Sequence, residues 1–481
     1  MARPGDSGRG LGTPPGERTV TPPADASAQG KISLEHLKKL IARGDVDTVI
    51  VAGVDLQGKL FGKRIHARHF LEQGCSGTMA CAAVLAWDVE LSLVDGLGWV
   101  GWHTGYHDLA LRPDFNTARV IPWFEKTALV LADAVEEHGG EIALSPRTVL
   151  RRQLSRAADM GFAVCSASEL EFHILRETGA SVRRKGYVGL DLNHDYLADY
   201  NLFRSSQDEW FFRQIRNHMT AAGVPVESNK PEYGNGQAEV NLAFAEALEM
   251  ADRHAIYKQG VKEIAALNGI LVTFMAKPFT EHSGSSCHIH MSLRRRDSEE
   301  NVFYDPDGPH GMSDTMRRFL GGVQRLAPDF FLLYAPYVNS YKRLVPGSFA
   351  PCRNCWGLDN RTVAFRVCGH GPSCRIENRV PGADVNGYLA AAAMLASGLY
   401  GIEHRLEPLP GPAQGNAYNG DTPWFPRNLV QARDTFTSSA VTRELLGDSV
   451  VDDLTAFADH EIDRYFTEVT DWERRAYLEL I

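Results

Sequence analysis

Three short segments of this chain alternate between polar and apolar residues, the pattern of a β-strand with one face in a protein core. They are residues 168–172, 287–292 and 375–379. Taken singly, residues 168–172 could be an edge strand in water, residues 287–292 a half-buried strand with hydrogen-bonded histidines, and residues 375–379 a surface ladder of ion pairs. Taken together, they predict one surface rich in carboxylate, imidazole and guanidinium groups. The polar positions are Glu169 and Glu171; His288, His290 and Ser292; and Arg375, Glu377 and Arg379.

The remaining pattern predicts helices and strands in mixed order. Apolar residues recur at helical spacing in several segments, and one of these segments is apolar enough to be a buried helix. The tail from residue 438 onward is also predicted to be helical. Helices are predicted over residues 32–42, 146–158, 207–222, 245–266 and 388–402, and further strands over residues 48–52, 81–89, 108–121 and 362–367.

These elements group into two domains behind a leader. Residues 1–31 are rich in Pro, Gly, Ser and Thr and contain no apolar segment, so they are predicted to be disordered. Residues 32–140 form a small mixed domain that ends at a polar break, and residues 146–481 form the larger domain. The length of 481 residues is in keeping with more than one domain.

The composition argues against several classes of protein. The formal net charge of -10 speaks against a nucleic-acid binder, although a local basic site for an anionic substrate stays open. No secretory signal is visible, and no apolar segment reaches the roughly 20 residues that a membrane span needs. Eight cysteines are too sparse for a disulfide scaffold, so reduced thiols and a cytoplasmic location are expected.

Two weaker motifs do not lead to a function. Residues 53–60 nearly match a phosphate-binding P-loop, but Leu60 stands where that motif needs a hydroxyl group for magnesium. Because no helical pattern follows, we predict a turn between two strands over residues 55–58. Cys352 and Cys355 lack the spacing to later cysteines that common zinc sites have.

Carboxylates and arginines elsewhere add to the polar strand faces. Glu232 and Glu239 flank a turn with two glycines and can converge on one point. Carboxylates with an imidazole suit two hard divalent cations such as Mg²⁺ or Mn²⁺, and arginines suit phosphate and carboxylate groups. These are the requirements of phosphoryl transfer from ATP, and the lack of a nucleophile motif makes the substrate the expected acceptor. The candidate metal ligands are Glu169, Glu171, Glu232, Glu239, His288 and Glu377, and the arginines are Arg343, Arg361, Arg366, Arg375 and Arg379.

In these residues the chain resembles the glutamine synthetase family, from about residue 45 to the C-terminus. The order and combination of the motifs are specific to that family. The motifs are Glu-Leu-Glu-Phe at 169–172, Gly-Asn-Gly-Gln-Ala-Glu-Val at 234–240, Gly-Ser-Ser-Cys-His-Ile-His-Met-Ser at 284–292, Asn-Ser-Tyr-Lys-Arg-Leu-Val-Pro-Gly at 339–347, Asp-Asn-Arg at 359–361 and Arg-Ile-Glu-Asn-Arg-Val-Pro at 375–381.

The resemblance implies an α+β fold, with an N-terminal β-grasp domain and a C-terminal catalytic domain. The antiparallel sheet of the catalytic domain would form a funnel with flanking helices. The resemblance also implies double rings of subunits, a dodecamer being the expected form, with each active site between two subunits. The implied reaction has two steps: ATP phosphorylates the γ-carboxylate of L-glutamate, and an amine then displaces phosphate to leave an amide.

By motif match, the resemblance assigns roles to individual residues. It implies two or more Mg²⁺ or Mn²⁺ ions per site and one nucleotide. One metal ion would be held by Glu171, Glu232 and Glu239, and another by Glu169, His288 and Glu377. The nucleotide would contact Glu227, His290, Ser292, Arg366 and Arg375, and glutamate with its γ-phosphate would contact Gly284 and the catalytic Arg343, Arg361 and Arg379.

The departures from the family pattern concern the second substrate. Family members that use ammonia carry a glutamate in the loop Pro-Gly-x-Glu-Ala-Pro, and that position is Phe349 here. Phe349 can neither hold ammonium nor take its proton, but an aromatic face can line a pocket for an alkylamine. Ser283 replaces a usual Asn beside Gly284, and Ala238 replaces a usual His. We therefore expect a γ-glutamyl ligase for a polyamine, ethanolamine or a short alkylamine.

Other functions stay open from the sequence. One is a glutamine synthetase that uses ammonia through an altered site, and another is a catalytically silent ring protein that binds or scaffolds. Retention of every metal position argues against the silent protein. A P-loop ATPase fails at Leu60. The tyrosine loop that some family members adenylylate is not recognisable, so that control is expected to be absent.

Overall fold

Two β-sheets organise the chain, and the computed structural model describes residues 30–298, 300–409 and 411–481. The strands of the first sheet are β1 (Thr48–Val54), β2 (Leu60–His66), β3 (Thr78–Cys81), β4 (Asp108–Pro113), β5 (Arg119–Val120) and β6 (Thr127–Glu136). They lie in the order β2-β1-β6-β4-β3, with β5 beside β6. Strands β1 and β6 are parallel and the other pairs antiparallel. The expected N-terminal β domain is thus confirmed.

The second sheet is larger and contains all three alternating segments. Its strands are β7 (Phe162–Leu175), β8 (Val226–Pro231), β9 (Gln237–Leu242), β10 (Ala245–Glu246), β11 (Leu271–Thr273), β12 (Cys287–Arg295), β13 (Trp356–Leu358), β14 (Phe365–Cys368) and β15 (Arg375–Asn378). The order is β13-β14-β15-β12-β7-β9-β8, and β10 and β11 also pair with β7. Every pair is antiparallel except β13 with β14.

Helices support the second sheet. The most apolar is α11, which is buried along nearly its whole length because apolar residues lie on all its sides. It packs closely on α8, since a Cβ added at Gly322 of α8 would lie 2.1 Å from the backbone oxygen of Ser397. The helices are α1 (Leu34–Arg43), α2 (Ala67–Glu72), α3 (Pro146–Asp159), α4 (Gly179–Arg184), α5 (Leu202–Ser205), α6 (Glu209–Ala221), α7 (Ala247–Leu267), α8 (Asp314–Leu326), α9 (Phe331–Tyr334), α10 (Val338–Tyr341), α11 (Gly387–Glu403), α12 (Leu429–Ser438), α13 (Ala440–Leu446), α14 (Asp448–Thr467) and α15 (Asp471–Tyr477).

A buried ion-pair network joins the first sheet to these helices. Arg147 of α3 donates through Nε and Nη2 to Asp252 of α7, at 2.9 and 2.7 Å. Its Nη1 donates to Asp133 of β6 at 2.6 Å. A buried guanidinium needs such partners, because removing one of them leaves an uncompensated charge. The network therefore fixes α7, which packs against β7, relative to the first sheet.

Most predicted elements are confirmed, and one is wrong. The segment predicted as a buried helix is α11, and residues 55–58 form the expected turn between β1 and β2, where Asp55 Oδ1 accepts from the N–H groups of Gln57 and Lys59. The strand predicted over 81–89 ends at Cys81, and Ala82–Leu85 form a buried 3₁₀ helix. A short apolar run has no periodicity that separates these two structures.

The remaining expectations concern the leader, the domain boundaries and membrane-spanning helices. Residues 1–29 of the predicted disordered leader lie outside the described residues, and the domain boundaries stay predictions. Within the described residues, no helix combines the length and the apolar character that crossing a bilayer requires.

A buried histidine in α7 predicts how stability depends on pH. Nδ1 of His254 lies 2.9 Å from the hydroxyl of Ser168 on β7. Burial, aided by the charge of Lys258, lowers the pKa of His254 to about 3. The unfolded chain takes up this proton near pH 6.5 and the folded chain does not. Stability is therefore complete above pH 6.5 and falls as pH drops from 6.5 towards 3.

We expect this histidine to cost about 1.4 kcal/mol of unfolding free energy for each pH unit below 6. The measurement is denaturant unfolding of the wild type and of His254→Asn between pH 7 and pH 4.5. Asparagine can keep the hydrogen bond to Ser168 but does not titrate, so the variant should show the shallower pH dependence. His36→Asn on the exposed side of α1 is the control. Parallel curves for wild type and His254→Asn would contradict the prediction.

Candidate active site

The candidate site lies on one face of the second sheet, where β7, β12 and β15 run side by side. Glu169 of β7 lies opposite His288 of β12. On the other side of β12, His290 lies opposite Glu377 of β15. Residues directly opposite each other in neighbouring strands point to the same face. The strand register, which joins segments far apart in the sequence, therefore brings the predicted residues together.

Glu169, His288 and Glu377 form the first cluster. Nδ1 of His288 lies 3.2 Å from Oε2 of Glu169 and 3.5 Å from Oε1 of Glu377. Burial alone would raise the pKa of Glu169, but hydrogen bonds with His288 and His290 hold it well below its usual range. Burial would likewise raise the pKa of Glu377, and the nearby His288 and Arg379 lower it to about 2. Both carboxylates are therefore ionised at neutral pH.

Glu171, Glu232 and Glu239 form the second cluster. Glu171 of β7 lies opposite Glu239 of β9, and Glu232 follows the end of β8. Carboxylate oxygens from the three residues lie within 4.8 Å of one another. Burial raises the pKa of Glu239 to about 7, and the charge of Glu171 adds to the rise. Like charges held this closely repel, and a cation among them removes the repulsion.

Both clusters fit divalent metal ions by the chemistry of their donors. The second offers only carboxylate oxygens, the ligands that Mg²⁺ and Mn²⁺ prefer. The first adds the imidazole of His288. Burial and the charge of Arg379 lower the pKa of His288 and favour the neutral form that binds metals. The structure brings each predicted ligand set together, and the assignment of metals to them stays a prediction.

Two residues that sequence reasoning missed hold Glu171 in place. The backbone N–H of Ser286 donates to Oε2 of Glu171 at 2.8 Å, and its hydroxyl donates to Oε1 at 2.6 Å. Nε2 of Gln237 donates to Oε2 of Glu171 at 2.8 Å and to the backbone oxygen of Gly284 at 3.0 Å. Their only signal in the sequence was a place inside motifs already identified.

Guanidinium groups surround the first cluster. Nη1 of Arg366 donates to Oε2 of Glu377 at 2.6 Å, and Arg379 donates to Oε1 of the same carboxylate. Nε of Arg375 donates to Nδ1 of His290 at 3.1 Å. These contacts hold three of the predicted arginines beside the carboxylates and leave further N–H groups for an anionic substrate.

Arg343 is placed differently from the other arginines. It is buried, donates through Nη2 to the backbone oxygen of Val380, and is missing from the described residues that line the cavity over the clusters. It packs behind Gly284, where an added Cβ would lie 2.6 Å from Cγ of Arg343. Gly284 thus separates Arg343 from the cavity by the thickness of one backbone segment.

Two neighbouring cavities receive most of the predicted binding residues. The larger, of about 790 Å³, lies over both clusters, and the smaller, of about 190 Å³, adjoins it at Glu169 and Arg375. The larger volume lies within the range of about 300–1,000 Å³ that is typical of small-molecule sites, and the smaller one lies below it. The larger cavity is lined by Ser283, Gly284, Phe349, Arg361, Arg366 and Arg379 among others, and the smaller by Glu227, His290 and Ser292.

Phe349 also lines the larger cavity, from the loop that follows α10. Its side chain is 57% exposed, and its φ of 58° lies in the left-handed region that bulky residues rarely adopt. The hydroxyl of Ser348 donates to the backbone oxygen of Val345 at 2.6 Å and helps to hold this turn. An aromatic ring therefore faces the same space as the carboxylates and arginines.

A second loop at this cavity was missed by sequence reasoning. Asp199, Tyr200 and Leu202, between α4 and α6, line the larger cavity. The backbone N–H of Asp199 donates to the backbone oxygen of Glu232 at 3.3 Å. The loop has no periodic pattern and reaches the site only through tertiary contacts, so the sequence contained no signal for it.

The contacts of Gln237 predict that its replacement weakens metal binding. Gln237→Leu removes a hydrogen bond that orients Glu171, and supporting residues of this kind typically change metal affinity by about 10- to 100-fold. We expect calorimetric titration to show Mn²⁺ binding weakened within that range. Gln214→Leu, on α6 and away from the cavity, is the matched control. Equal affinities for the wild type and Gln237→Leu would show that this amide does not support the site.

Comparisons with known proteins identify the family. Residues 143–477 match the family model described as glutamine synthetase, catalytic domain. The gamma-glutamylethanolamide synthetase GlnA4 of Streptomyces coelicolor is 45% identical over 466 residues, which cover 97% of this chain and 99% of that protein. A glutamate–isopropylamine ligase of Pseudomonas sp is 37% identical over 461 residues, 95% of this chain and 100% of that protein.

A solved structure is similar as well. The structure titled GmaS/ADP complex, conformation 1, aligns with a TM-score of 0.81 and 29% identity, over 92% of this chain and 99% of that one. Sequence and fold thus agree along nearly the whole length of the compared proteins. The chain belongs to the glutamine synthetase family and is a carbon–nitrogen ligase of that family.

Proposed function

We propose that the protein joins the γ-carboxylate of L-glutamate to a primary amine larger than ammonia, with ATP as the phosphoryl donor. The observation that carries this proposal is the aromatic ring of Phe349 beside two intact carboxylate clusters. The phosphoryl-transfer side of the site keeps its charged residues, and the ammonia-binding acid is replaced by an apolar surface. Similarity to relatives named for ethanolamide and isopropylamine ligation supports the same choice.

In the first step, a γ-carboxylate oxygen of glutamate attacks the terminal phosphorus of ATP. The bond from that phosphorus to the bridging oxygen breaks, and ADP leaves. Arg361 and Arg379, in the larger cavity, hold glutamate and stabilise the negative charge on the phosphoryl group in transfer. Divalent metals on the two clusters would screen the phosphate oxygens. Arg343 acts from behind Gly284 and supports the wall of the glutamate site.

The nucleotide occupies the smaller cavity in this proposal. Arg375 is shared by both cavities and is therefore suited to the phosphates that must pass between them. Similarity to a structure titled as an ADP complex supports nucleotide binding. In this proposal the nucleotide contacts Glu227, His290 and Ser292 in the smaller cavity and reaches Arg366 in the larger one, as the resemblance implies. This arrangement directs the terminal phosphate towards the glutamate side.

In the second step, the amine nitrogen attacks the γ-carbonyl carbon of the acyl phosphate. The carbon–oxygen bond to phosphate breaks, the nitrogen gives a proton to the departing phosphate, and the γ-glutamyl amide remains. Phe349 contributes an apolar face for the carbon chain of the amine and a ring that attracts its cationic form before deprotonation. Tyr200 and Leu202, the latter at the start of α5, extend this apolar surface.

We also propose assembly into rings, with a dodecamer as the expected form, and a cytoplasmic location. Exposed apolar side chains near the C-terminus, including Phe466, Trp472 and Leu478, support contacts between subunits. None of the eight cysteines forms a disulfide among the described residues, which supports a reducing compartment. Light scattering of the purified protein measures the assembly directly.

The first test is phosphate release from ATP in the presence of glutamate and a panel of amines. The panel contains ammonia, methylamine, ethanolamine, isopropylamine and putrescine at equal concentrations. We expect at least one carbon-containing amine to give a kcat/KM about tenfold or more above that for ammonia. A higher kcat/KM for ammonia would contradict the choice of amine. No phosphate release with any amine would favour a silent binding protein.

The second test exchanges the ring for an acid. Phe349→Glu restores a carboxylate that can hold ammonium, so we expect the ratio of kcat/KM for ammonia to that for the best amine to rise about tenfold. Val345→Glu is the matched control, because it adds the same charge to the same loop but does not line the cavity. If both variants change the ratio equally, or neither does, Phe349 does not select the amine.

A further inference from the structure

Lys230 places a positive charge inside the second cluster. It lies on β8 directly opposite Glu239 of β9. Its ammonium group forms an ion pair with Glu232, and Nζ lies 3.9 Å from Oε1 of Glu239. The lysine side chain is only 21% exposed, and those of Glu232 and Glu239 are 15% and 6% exposed. Two of the three carboxylates that would ligate a metal are therefore already paired with a cation of the chain itself.

Lys230 has a second partner away from the carboxylates. Nζ lies 4.7 Å from the centroid of the Tyr200 ring, a distance at which a cation and an aromatic face attract. Both Lys230 and Tyr200 line the larger cavity. The four-carbon stem of lysine is flexible, so the ammonium can leave the carboxylates and keep the ring contact without any movement of β8.

We propose that Lys230 is a tethered competitor of the divalent metal at the Glu171, Glu232 and Glu239 site. When the metal binds, the ammonium moves off the carboxylates towards Tyr200 and the cavity, where it can meet a phosphoryl group. Lysine and metal cannot use the same oxygens at once, because both are cations at short range. This inference rests on the metal site within the proposed function.

The proposal predicts that Mn²⁺ binds more tightly, not more weakly, when Lys230 is removed. Removing a lysine that only supports the fold would weaken metal binding or leave it unchanged, whereas removing a competitor strengthens it. Lys230→Met should therefore tighten Mn²⁺ binding by about tenfold, the order of one charge-assisted hydrogen bond. Lys230→Arg keeps the charge and should remain within about threefold of the wild type.

The experiment uses the full chain in a His288→Ala background, which weakens the first metal site and leaves the second measurable. Mn²⁺ is titrated without nucleotide, and free Mn²⁺ is followed by electron paramagnetic resonance. Lys185→Met, an ion-paired lysine that does not line the cavity, is the matched control. Far-ultraviolet circular dichroism and a thermal melt check that each variant is folded.

A second pair of variants tests the ring contact separately. With metal bound, the ring is the main partner left to the ammonium, whereas without metal the carboxylates hold it as well. Tyr200→Leu therefore destabilises the metal-bound form more, and Mn²⁺ affinity should fall about threefold. Tyr200→Phe keeps the ring and should leave affinity unchanged. These variants alter an exposed loop residue and therefore give an answer even if Lys230→Met is unstable.

The outcomes distinguish a failure of the metal site, of the competition by Lys230 and of the role of the ring. If the His288→Ala protein binds no Mn²⁺, the second metal site of the proposed function is wrong. If it binds Mn²⁺ and Lys230→Met has equal or weaker affinity, the metal site stands and the competition is wrong. Equal affinities of the Tyr200→Leu and Tyr200→Phe proteins would overturn the role of the ring.

Discussion

Concentrated negative charge on one sheet face is the constraint on which the rest of this structure depends. Five carboxylates from three strands and one turn converge there, and two of them are buried beside like charges. Two kinds of contact offset the repulsion between these carboxylates. Around Glu377 the protein supplies Arg366, Arg379 and imidazoles. Around Glu171 it supplies hydrogen-bond donors from Ser286 and Gln237, which orient the carboxylate without cancelling its charge.

This difference gives the two clusters different electrostatic characters. Glu377, compensated by neighbouring cations, has its pKa lowered to about 2, whereas Glu239 has its pKa raised to about 7 by burial and by Glu171. The two carboxylates of the first cluster are ionised at neutral pH. The second gains more from an added cation, and Lys230 already occupies part of that position. The proposed metal sites and the proposed choice of amine are thus separate features, because Phe349 belongs to a loop that takes no part in either cluster.

The sequence predicted the polar strand faces well because alternation is a local property with period two. It could not predict which residues lie opposite each other, since register is fixed by the packing of the whole sheet. Arg343 is buried and Arg361 lines the larger cavity, although both were predicted to contact glutamate. Tyr200 and Gln237 were missed because their roles arise from tertiary contacts. The strand predicted at 81–89 was wrong because an apolar run is compatible with a strand and with a buried helical turn.

The backbone at Phe349 has a consequence for how substrate range can change. Its φ of 58° crowds the Cβ atom, at a conformational cost of about 1–2 kcal/mol that any side chain except glycine, and in part asparagine, would share. Exchanging phenylalanine for another ordinary residue therefore leaves that cost nearly constant. The path of the loop is held by Ser348 and by the hydroxyl of Tyr418, which donates to the backbone oxygen of Ala350 at 3.1 Å. Under the proposed role of Phe349, amine preference can diverge at this position with little change in the folded architecture around it.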